Sequence, residues 1–357
     1  MLITLKKNLA TKTFNSSALS ISFILLLIFG CNNYKYTYDE NKKHHGKKSF
    51  QNNYPHPEKK SFLKWQIEKF KNPDNYELKE TKTEFIFPNI NSIINSNNDL
   101  ICWLGHSTFL LKINNKIIIT DPHLTSRASP FTFIGPKRKI PNLVSFSNLP
   151  QIDVTLISHN HYDHLDITTI KEIYKKNSKT FTLAGLGHKH ILNFLSSNSL
   201  IELDWWENFE YQNLSFTFVP VQHWSSRIIV DRNKSLWGGW VIEYENKKIF
   251  FAGDLGFSKD IIDIKEKFGE FHLAFIPIGA YAPRWFMKTM HVNPFEAVKI
   301  HKIIAPKKSI AMHWGTFKLT DEPLNEPPFK LRETLLSENI PLETFLILKP
   351  GQIIDID

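Results

Sequence analysis

Cysteine is scarce in this sequence: Cys31 and Cys102 are the 2 cysteines among 357 residues. So small a number excludes the disulfide framework that holds many small secreted domains together. Cys102 lies between Ile101 and Trp103 in an apolar run, so we interpret it as a small core residue. A metal site in this chain would therefore use imidazole and carboxylate ligands.

Long apolar runs are scarce as well. The uncharged run from Leu19 to Phe29 is shorter than the roughly 20 residues that a bilayer-spanning helix needs. Three lysines precede it and Gly30-Cys31 follows it, which is the layout of a secretory signal. Ile28-Phe29-Gly30-Cys31 resembles a bacterial lipobox. We therefore expect residues 1–30 to be a lipoprotein signal peptide, Cys31 to be lipidated, and the protein to be membrane-anchored in a bacterial cell envelope. An uncleaved anchor helix is the alternative.

Positive charge is scarce outside the N-terminal region, although the whole chain has a formal net charge of +9. Lysines are concentrated in residues 31–60, a segment rich in Asn, Tyr and His with almost no aliphatic residues. We interpret this segment as a flexible basic tether that suits an anionic membrane surface, with His44 and His45 solvated. A nucleic-acid-binding protein carries its positive charge on the folded surface, so that class is excluded.

The rest of the chain has no internal repeat and no linker rich in Pro or Gly. We assign residues 61–95 to an N-terminal extension and residues 96–357 to one folded domain. Apolar runs predict strands near 100–104, 109–113 and 116–120, the last two joined as a hairpin by Asn114-Asn115. Helical patterns follow near 166–176, 188–196, 258–268, 293–303 and 329–338, and further strands near 154–157, 180–184, 214–220, 236–244, 247–252, 272–278, 308–312 and 343–349. This alternation predicts an α/β fold with two mixed sheets covered by helices.

The segment from Ser158 to Asp166 is exceptionally rich in ligand-type side chains, because His159, His161, Asp163 and His164 follow one another directly after an apolar strand. Burying them is costly unless something pairs them, and a transition metal does so. His159 and His161 alternate and project to one side, whereas Asp163 and His164 can reach a second point. The segment therefore predicts two metal sites close together. A solvated polar loop is the alternative.

Three later strands also end on residues that can bind metal: His223, Asp254 and His313. Gly253 lets the backbone approach closely, and the two oxygens of Asp254 can bridge two cations. Taken singly, these residues have ordinary explanations as a loop residue, a turn residue and a core histidine. Together with the His159 cluster they favour a metal centre.

The pattern resembles the metallo-β-lactamase superfamily, and within it the N-acyl-phosphatidylethanolamine-hydrolysing phospholipase D family. The resemblance covers about residues 100–350. Besides the His159 cluster it includes Gly135-Pro136-Lys137-Arg138, Ile201-Glu202-Leu203-Asp204-Trp205-Trp206, Gln222-His223-Trp224, Phe250-Phe251-Ala252-Gly253-Asp254, Ile276-Pro277-Ile278-Gly279-Ala280-Tyr281-Ala282-Pro283-Arg284-Trp285-Phe286-Met287 and His313-Trp314-Gly315-Thr316-Phe317.

This resemblance implies an αββα sandwich with a dinuclear zinc site between its sheets. One zinc ion would bind His159, His161 and His223. The second would bind Asp163, His164 and His313, with Asp254 bridging the two ions. Asp166 would fix an imidazole tautomer beside the ligands. Ligands of this kind suit Zn²⁺, and Fe or Mn stay open.

The implied activity is hydrolysis of N-acyl-phosphatidylethanolamine or a related membrane phospholipid to phosphatidic acid and the headgroup alcohol. Asp254 and Asp163 would act with the metals. His291 would contact the substrate, or alternatively pack at a helix N-terminus. A lipid-facing rim would be formed by Tyr281, Arg284, Trp285, Phe286 and Met287, with buried packing as the alternative. The resemblance also allows a homodimer.

Other functions stay open on the same scaffold. A lactonase would use the same metal site on a lactone carbonyl, although an exported protein does not meet cytoplasmic sugar phosphates. β-Lactam hydrolysis agrees with the metal site and the compartment, but no stretch outside the site indicates it. A non-catalytic surface lipoprotein would have no use for the complete ligand set.

Overall fold

The structure is a computed structural model that describes residues 38–54, 62–71, 82–228 and 230–356. The expected signal peptide and Cys31 lie outside the described residues, so both stay predictions. Within the described ranges, no helix has the length and apolarity that crossing a bilayer requires.

Two mixed sheets of seven strands each form the centre of the molecule. The first has the order β14-β1-β2-β3-β4-β5-β6 and the second β13-β12-β11-β10-β9-β8-β7. The strands are β1 (Leu100–Gly105), β2 (Thr108–Ile113), β3 (Lys116–Thr120), β4 (Val154–Leu156), β5 (Phe181–Gly185), β6 (Leu200–Leu203), β7 (Asn208–Tyr211), β8 (Leu214–Val219), β9 (Gly239–Tyr244), β10 (Lys247–Phe251), β11 (Phe271–Pro277), β12 (Pro306–Met312), β13 (Phe345–Leu346) and β14 (Ile353–Asp355).

Seven α-helices accompany these strands in the described residues. They are α1 (Phe62–Lys71), α2 (Ile90–Asn95), α3 (Ile167–Lys176), α4 (Asp260–Phe268), α5 (Arg284–Met287), α6 (Pro294–Ile304) and α7 (Glu326–Ser337), and a 3-10 turn spans Leu342–Thr344. Helix α6 begins with a capping box, in which Asn293 accepts from the Glu296 amide and Glu296 reaches back to the Asn293 amide. The predicted αββα class is confirmed.

The main core lies between the sheets. It contains large side chains from both of them, including Trp103, Phe109, Phe218, Trp240 and Phe275, each fully buried. The hairpin of β2 and β3 turns at Asn114 and Asn115, whose φ angles of 49° and 59° are those of a two-residue hairpin turn. That predicted hairpin is confirmed.

One predicted helix is wrong. Residues 188–196 form a series of short turns, with Ile191 and Leu192 both bonded to the His188 carbonyl. The His188 ring binds the Gly185 carbonyl at 2.7 Å, and Asn193 has poor helix propensity. The turns bury Leu192 in a small cluster with residues of α3.

The expected flexible tether over residues 31–60 is wrong for residues 38–54, which we call the N-terminal strap. Phe50 is 2 % exposed and belongs to the main core, and its amide donates to the Asn233 carbonyl. His44 and His45 are not solvated, because both bind the buried Asp204 carboxylate, at 2.6 and 3.0 Å. Paired polar groups and one buried aromatic ring therefore fix a segment whose composition resembles disorder.

Candidate metal centre

The strand directions explain why the ligand residues meet. Strands β3 and β4 are parallel, and β10, β11 and β12 are parallel in the other sheet. Strands β8 and β10 are both antiparallel to β9, so they also run in one direction. The carboxyl ends of parallel strands meet at one sheet edge. His159, His223, Asp254 and His313 follow such ends and come together there.

The first half of the centre consists of His159, His161 and His223. His159 Nε2 lies 2.8 Å from His161 Nδ1, and His223 Nε2 lies 3.3 Å from the same atom. His159 and His223 therefore present Nε2, whereas His161 presents Nδ1. Three ring nitrogens this close can share one cation.

The second half consists of Asp163, His164 and His313. Asp163 Oδ2 lies 3.4 Å from Nε2 of His164 and 3.4 Å from Nε2 of His313. Asp254 stands between the halves. Its carboxylate oxygens are 3.1 Å from His164 Nε2 and from His313 Nε2, and Oδ2 is 4.0 Å from His159 Nε2. The structure thus brings together every ligand that the sequence predicted.

Burial controls the charge of the imidazoles in the first half of the centre. It lowers the pKa of His161 and of His223 to about 3 and that of His159 well below its ordinary value, so these rings are neutral at pH 7. Burial would also raise the pKa of Asp254, but the surrounding imidazoles, His164 first, outweigh it and lower that pKa. Burial would likewise lower the pKa of His164 and of His313, but the neighbouring carboxylates, Asp254 first, outweigh it and raise the pKa of His313 to about 9 and that of His164 well above its ordinary value. Binding of a cation by these two rings would therefore release their protons, whereas the carboxylates and the rings of the first half already have the charge that a metal site requires.

Orphaned buried atoms test whether the residues fit a metal. Among the residues that the structure describes, no hydrogen-bond partner is found for the buried atoms His164 Nε2, His313 Nε2 and Asp254 Oδ1, although each of the two nitrogens lies 3.1 Å from an oxygen of Asp254. Buried polar atoms are rarely left unpaired in native proteins. Nitrogen and oxygen donors at these separations fit zinc coordination, so the residue set fits two cations.

Asp121, which sequence reasoning missed, orients two of the ligands. Its Oδ1 accepts from the Ser158 amide at 2.7 Å, and its Oδ2 accepts from Ser158 Oγ at 2.6 Å and from His164 Nδ1 at 2.7 Å. Ser158 Oγ in turn lies 2.9 Å from His159 Nδ1. Because their Nδ1 atoms are engaged, His159 and His164 present Nε2 to the centre.

His106 was also missed. It is 1 % exposed, and its Nε2 lies 2.9 Å from Asp163 Oδ2, so it holds that carboxylate in place. The signal was present in the sequence, because His106 and Asp121 each follow directly after an apolar strand, as the predicted ligands do.

Asp166 does not fix an imidazole tautomer, so this prediction is wrong. Asp166 is the N-cap of α3: its side chain accepts from the Thr168 amide and, at 2.6 Å, from Thr169 Oγ1. A residue directly before a helix is well placed to cap its free amides, and that position decides its role. The hydrogen bond that fixes an imidazole tautomer is instead the one between Asp121 and His164 Nδ1.

Strained backbone accompanies the site. His106, Asp121 and His313 have φ angles of 53°, 34° and 62°, in the left-handed region that residues with a Cβ rarely adopt. Gly253, at φ 60°, precedes Asp254, and a Cβ there would lie 2.7 Å from Ser158 Cβ. The predicted close approach of the backbone at Gly253 is confirmed.

The cluster opens into a cavity of about 800 Å³. His161, Asp163, His223, Asp254 and His291 line it together with apolar side chains from several elements, namely Trp65, Trp224, Phe286, Met287, Met290 and Leu319. Nδ1 of His291 is 3.7 Å from Asp254 Oδ2 and has no hydrogen-bond partner in the described part of the chain. His291 therefore faces the space that a substrate would occupy.

Three of the expected rim residues lie elsewhere. Tyr281 is buried and donates to Glu326, and Arg284 pairs with Glu296 at 2.6 Å while donating to the His291 carbonyl. Trp285 is 38 % exposed on the outside of α5, with Lys64 over its ring. None of these three lines the cavity. The packing that was the alternative describes Tyr281 and Arg284, whereas lipid contact by the exposed Trp285 stays a prediction. The other two members of the predicted rim, Phe286 and Met287, do line the cavity.

A second polar cluster joins His44, His45 and Asp204, and Lys42 Nζ lies 2.6 Å from the same carboxylate. His45 Nδ1 accepts from the Asp39 amide, which leaves the ring proton on the Nε2 that faces Asp204. A protonated nitrogen and an ammonium group oppose cation binding, so we interpret this cluster as an ion-pair network.

Comparison with known proteins agrees with this geometry. Residues 116–314 match the model of the β-lactamase superfamily domain. The chain belongs to that superfamily, and it is a metal-dependent hydrolase with the metallo-β-lactamase fold.

Individual relatives are more specific. The chain is 39 % identical to N-acyl-phosphatidylethanolamine-hydrolyzing phospholipase D 1 of Caenorhabditis elegans, over 70 % of this chain and 74 % of that one. It is 37 % identical to the mitochondrial enzyme with the corresponding name in Saccharomyces cerevisiae, over 64 % of this chain and 50 % of that one. The metallo hydrolase Igni18 of Ignicoccus hospitalis shares the fold at a TM-score of 0.55, with 19 % identity over 72 % of this chain and 98 % of that one.

Proposed function

We propose that this protein is a zinc-dependent phosphodiesterase of the phospholipase D type, which hydrolyses N-acyl-phosphatidylethanolamine or a related phospholipid. The supporting observation is a dinuclear ligand set that opens into a large cavity with apolar walls. The names of the C. elegans and S. cerevisiae relatives agree with that substrate.

The apolar wall suits acyl chains. Trp65 of α1 stacks on Phe286 of α5 with ring centroids 5.1 Å apart, and both rings line the cavity. Two apolar side chains of α1, Leu63 and Ile67, are exposed to solvent, at 69 and 44 %. Exposed apolar side chains beside a cavity entrance gain free energy by entering a lipid surface. A membrane is thus the proposed source of the substrate.

When bound, two zinc ions would supply hydroxide near neutral pH and neutralise charge on the phosphate. Asp254 would hold both halves of the centre together. The pKa of His291 is lowered to about 3, chiefly by burial, so its ring is neutral and carries one N–H that can donate to a phosphate oxygen. Hydrolysis would break the bond between phosphorus and the headgroup oxygen. Water would give its oxygen to phosphorus and a proton to the released alcohol.

The test is a headgroup-release assay on the purified, zinc-loaded protein. We expect N-acyl-phosphatidylethanolamine to be cleaved to phosphatidic acid and N-acylethanolamine. Phosphatidylethanolamine, phosphatidylcholine and a homoserine lactone serve as comparisons. Equal turnover of all diester lipids would support the phospholipase D reaction but contradict a preference for N-acyl-phosphatidylethanolamine. Turnover of the lactone alone would contradict the proposal and favour a lactonase.

We further propose that the protein is a lipoprotein of a bacterial envelope, anchored through Cys31. Cys31→Ser should block processing or release the protein from the membrane, because the lipid attaches to the thiol. Detergent partitioning of wild type and variant measures this, with Cys102→Ser as the control. A Cys31→Ser protein that is cut and anchored like the wild type would contradict the lipobox assignment.

A further inference from the structure

We infer that the N-terminal strap completes the first half of the metal centre, and that Asn52 is the positioning residue for the ligand His223. This inference rests on the proposed metal centre but not on the identity of the substrate. It concerns a segment that precedes the part of the chain matching the superfamily model, residues 116–314.

His223 lies outside regular secondary structure, since β8 ends at Val219. Its backbone amide and carbonyl therefore lack the ladder partners that a strand residue has. The Asn52 side chain supplies both. Oδ1 of Asn52 accepts from the His223 amide at 3.1 Å, and Nδ2 donates to the His223 carbonyl at 3.0 Å. One side-chain amide thus imitates a neighbouring strand at a ligand residue.

The ring of His223 is fixed separately. Its Nδ1 donates to the Met290 carbonyl at 2.9 Å, which leaves the Nε2 lone pair directed at His161. This contact sets rotation about the side-chain bonds, but it does not fix the backbone from which the ring extends. Asn52 fixes that backbone, and its Oδ1 also accepts from Trp237 Nε1 at 3.1 Å.

Asn52 is itself held in place on both sides. Before it, Phe50 is buried in the main core, and His44 stacks on Trp205 with ring centroids 4.4 Å apart. After it, Asn53 donates to Asp260 at 3.0 Å and Tyr54 donates to Asp263 at 2.7 Å, both at the start of α4. The strap is therefore anchored independently of the metal centre, so it can position His223 before a cation arrives.

Ligand orientation by neighbouring hydrogen bonds typically contributes about 10–100-fold to metal affinity. Asn52→Ala removes both hydrogen bonds to His223 and should weaken one of the two metal sites by about that factor. Asn52→Asp retains the acceptor and loses the donor, so its effect should be smaller. Asn53→Ala is the matched control, because that adjacent side chain binds Asp260 and not a ligand residue, and Phe50 and Tyr54 still anchor the strap in this variant.

The experiment titrates Co²⁺ into the metal-free full chain and its variants, and follows the visible absorption of each site. Parallel dialysis against a chelator measures the retained metal. We expect the wild type and Asn53→Ala to keep two ions under conditions where Asn52→Ala keeps one. Thermal unfolding of the metal-free proteins should show similar midpoints for both alanine variants.

Two outcomes would overturn the inference. If Asn52→Ala and Asn52→Asp hold both ions as tightly as Asn53→Ala, Asn52 does not position the ligand. If the wild type binds fewer than two ions, the dinuclear centre fails and the inference fails with it. A wild type that binds two ions but cleaves no phospholipid would reject the proposed substrate and leave the role of Asn52 standing.

Discussion

Asp254 connects the two halves of the metal centre, since its oxygens lie within 3.1 Å of His164 and His313 and 4.0 Å of His159. Asp254→Asn keeps the shape but removes the charge, so it should weaken the bridge between the cations. We expect hydrolysis to fall by at least about 10²–10³-fold, the loss typical of one missing transition-state contact.

Steady-state kinetics with circular dichroism checks this prediction. Asp355→Asn, at an exposed carboxylate on the edge strand β14, is the control and should retain full activity. A folded Asp254→Asn protein that hydrolyses the substrate at the wild-type rate would exclude Asp254 from the reaction.

Asp121 and Asp166 differ in their partners, and their variants should differ accordingly. Asp121→Asn disturbs the bonds to Ser158 and His164, so metal affinity should fall by about 10–100-fold. Asp166→Asn substitutes one good N-cap for another at the start of α3, so it should change neither metal affinity nor activity measurably. Competition with a chromophoric zinc chelator measures both affinities. If Asp166→Asn lost more metal affinity than Asp121→Asn, Asp166 would have the role in fixing a ligand that the sequence suggested for it.

Among the larger elements, the strap depends on one buried carboxylate. Burial would raise the pKa of Asp204, but hydrogen bonds from His44 and Lys42 outweigh it and lower that pKa below its ordinary value. In the unfolded chain, the pKa of an aspartate is about 3.9. The pairing of Asp204 therefore stabilises the folded state fully above that pH, and this stabilisation is lost progressively as the pH falls below it.

The free energy of unfolding should therefore fall more steeply below about pH 4 in the wild type than in Asp204→Asn. Urea titrations at several pH values measure it. Parallel curves for the two proteins would show that the pairing of Asp204 does not contribute to folding stability.

The strands show which elements could be predicted and which could not. β1 and β12 are largely buried runs with clear ends, and the sequence predicted both, together with the ligand His313 that follows β12. β7 has alternating exposed side chains, and β14 spans only Ile353–Asp355, so neither has a strong apolar pattern. Strand pairing with β8 and β1 stabilises them instead. Such pairing is a property of the fold and not of the segment.

The site shows the same division. The ligands could be predicted because they either form one dense segment after β4 or lie shortly after the end of an apolar strand. Asn52 could not, because it lies in a segment that resembles a tether and reaches His223 across 171 positions of sequence. Likewise, Tyr281 and Arg284 belong to a recognisable motif, but their half-buried partners Glu326 and Glu296 decide where they point.

The whole molecule should depend on its metals for stability. Two cations would compensate the paired carboxylates and the strained backbone at the centre. Metal analysis of the chain from residue 38 onward should therefore find close to two ions, mainly zinc. Chelation should lower the unfolding temperature, because a ligand that binds only the folded state stabilises it by mass action. A metal-free protein that is folded and active would contradict the dinuclear centre.

The position of the strap also affects the order of folding. His44 and Asp204 are 160 positions apart, and Asn52 and His223 are 171 apart, so these contacts close very long loops. Closing such loops costs conformational entropy, and this cost is not offset until both sheets have formed the surface on which the strap docks. During synthesis, residues 38–54 leave the ribosome long before their partners exist. We therefore expect the half of the metal centre that contains His223 to form at the end of refolding. Tight metal uptake would then report the end of the folding reaction.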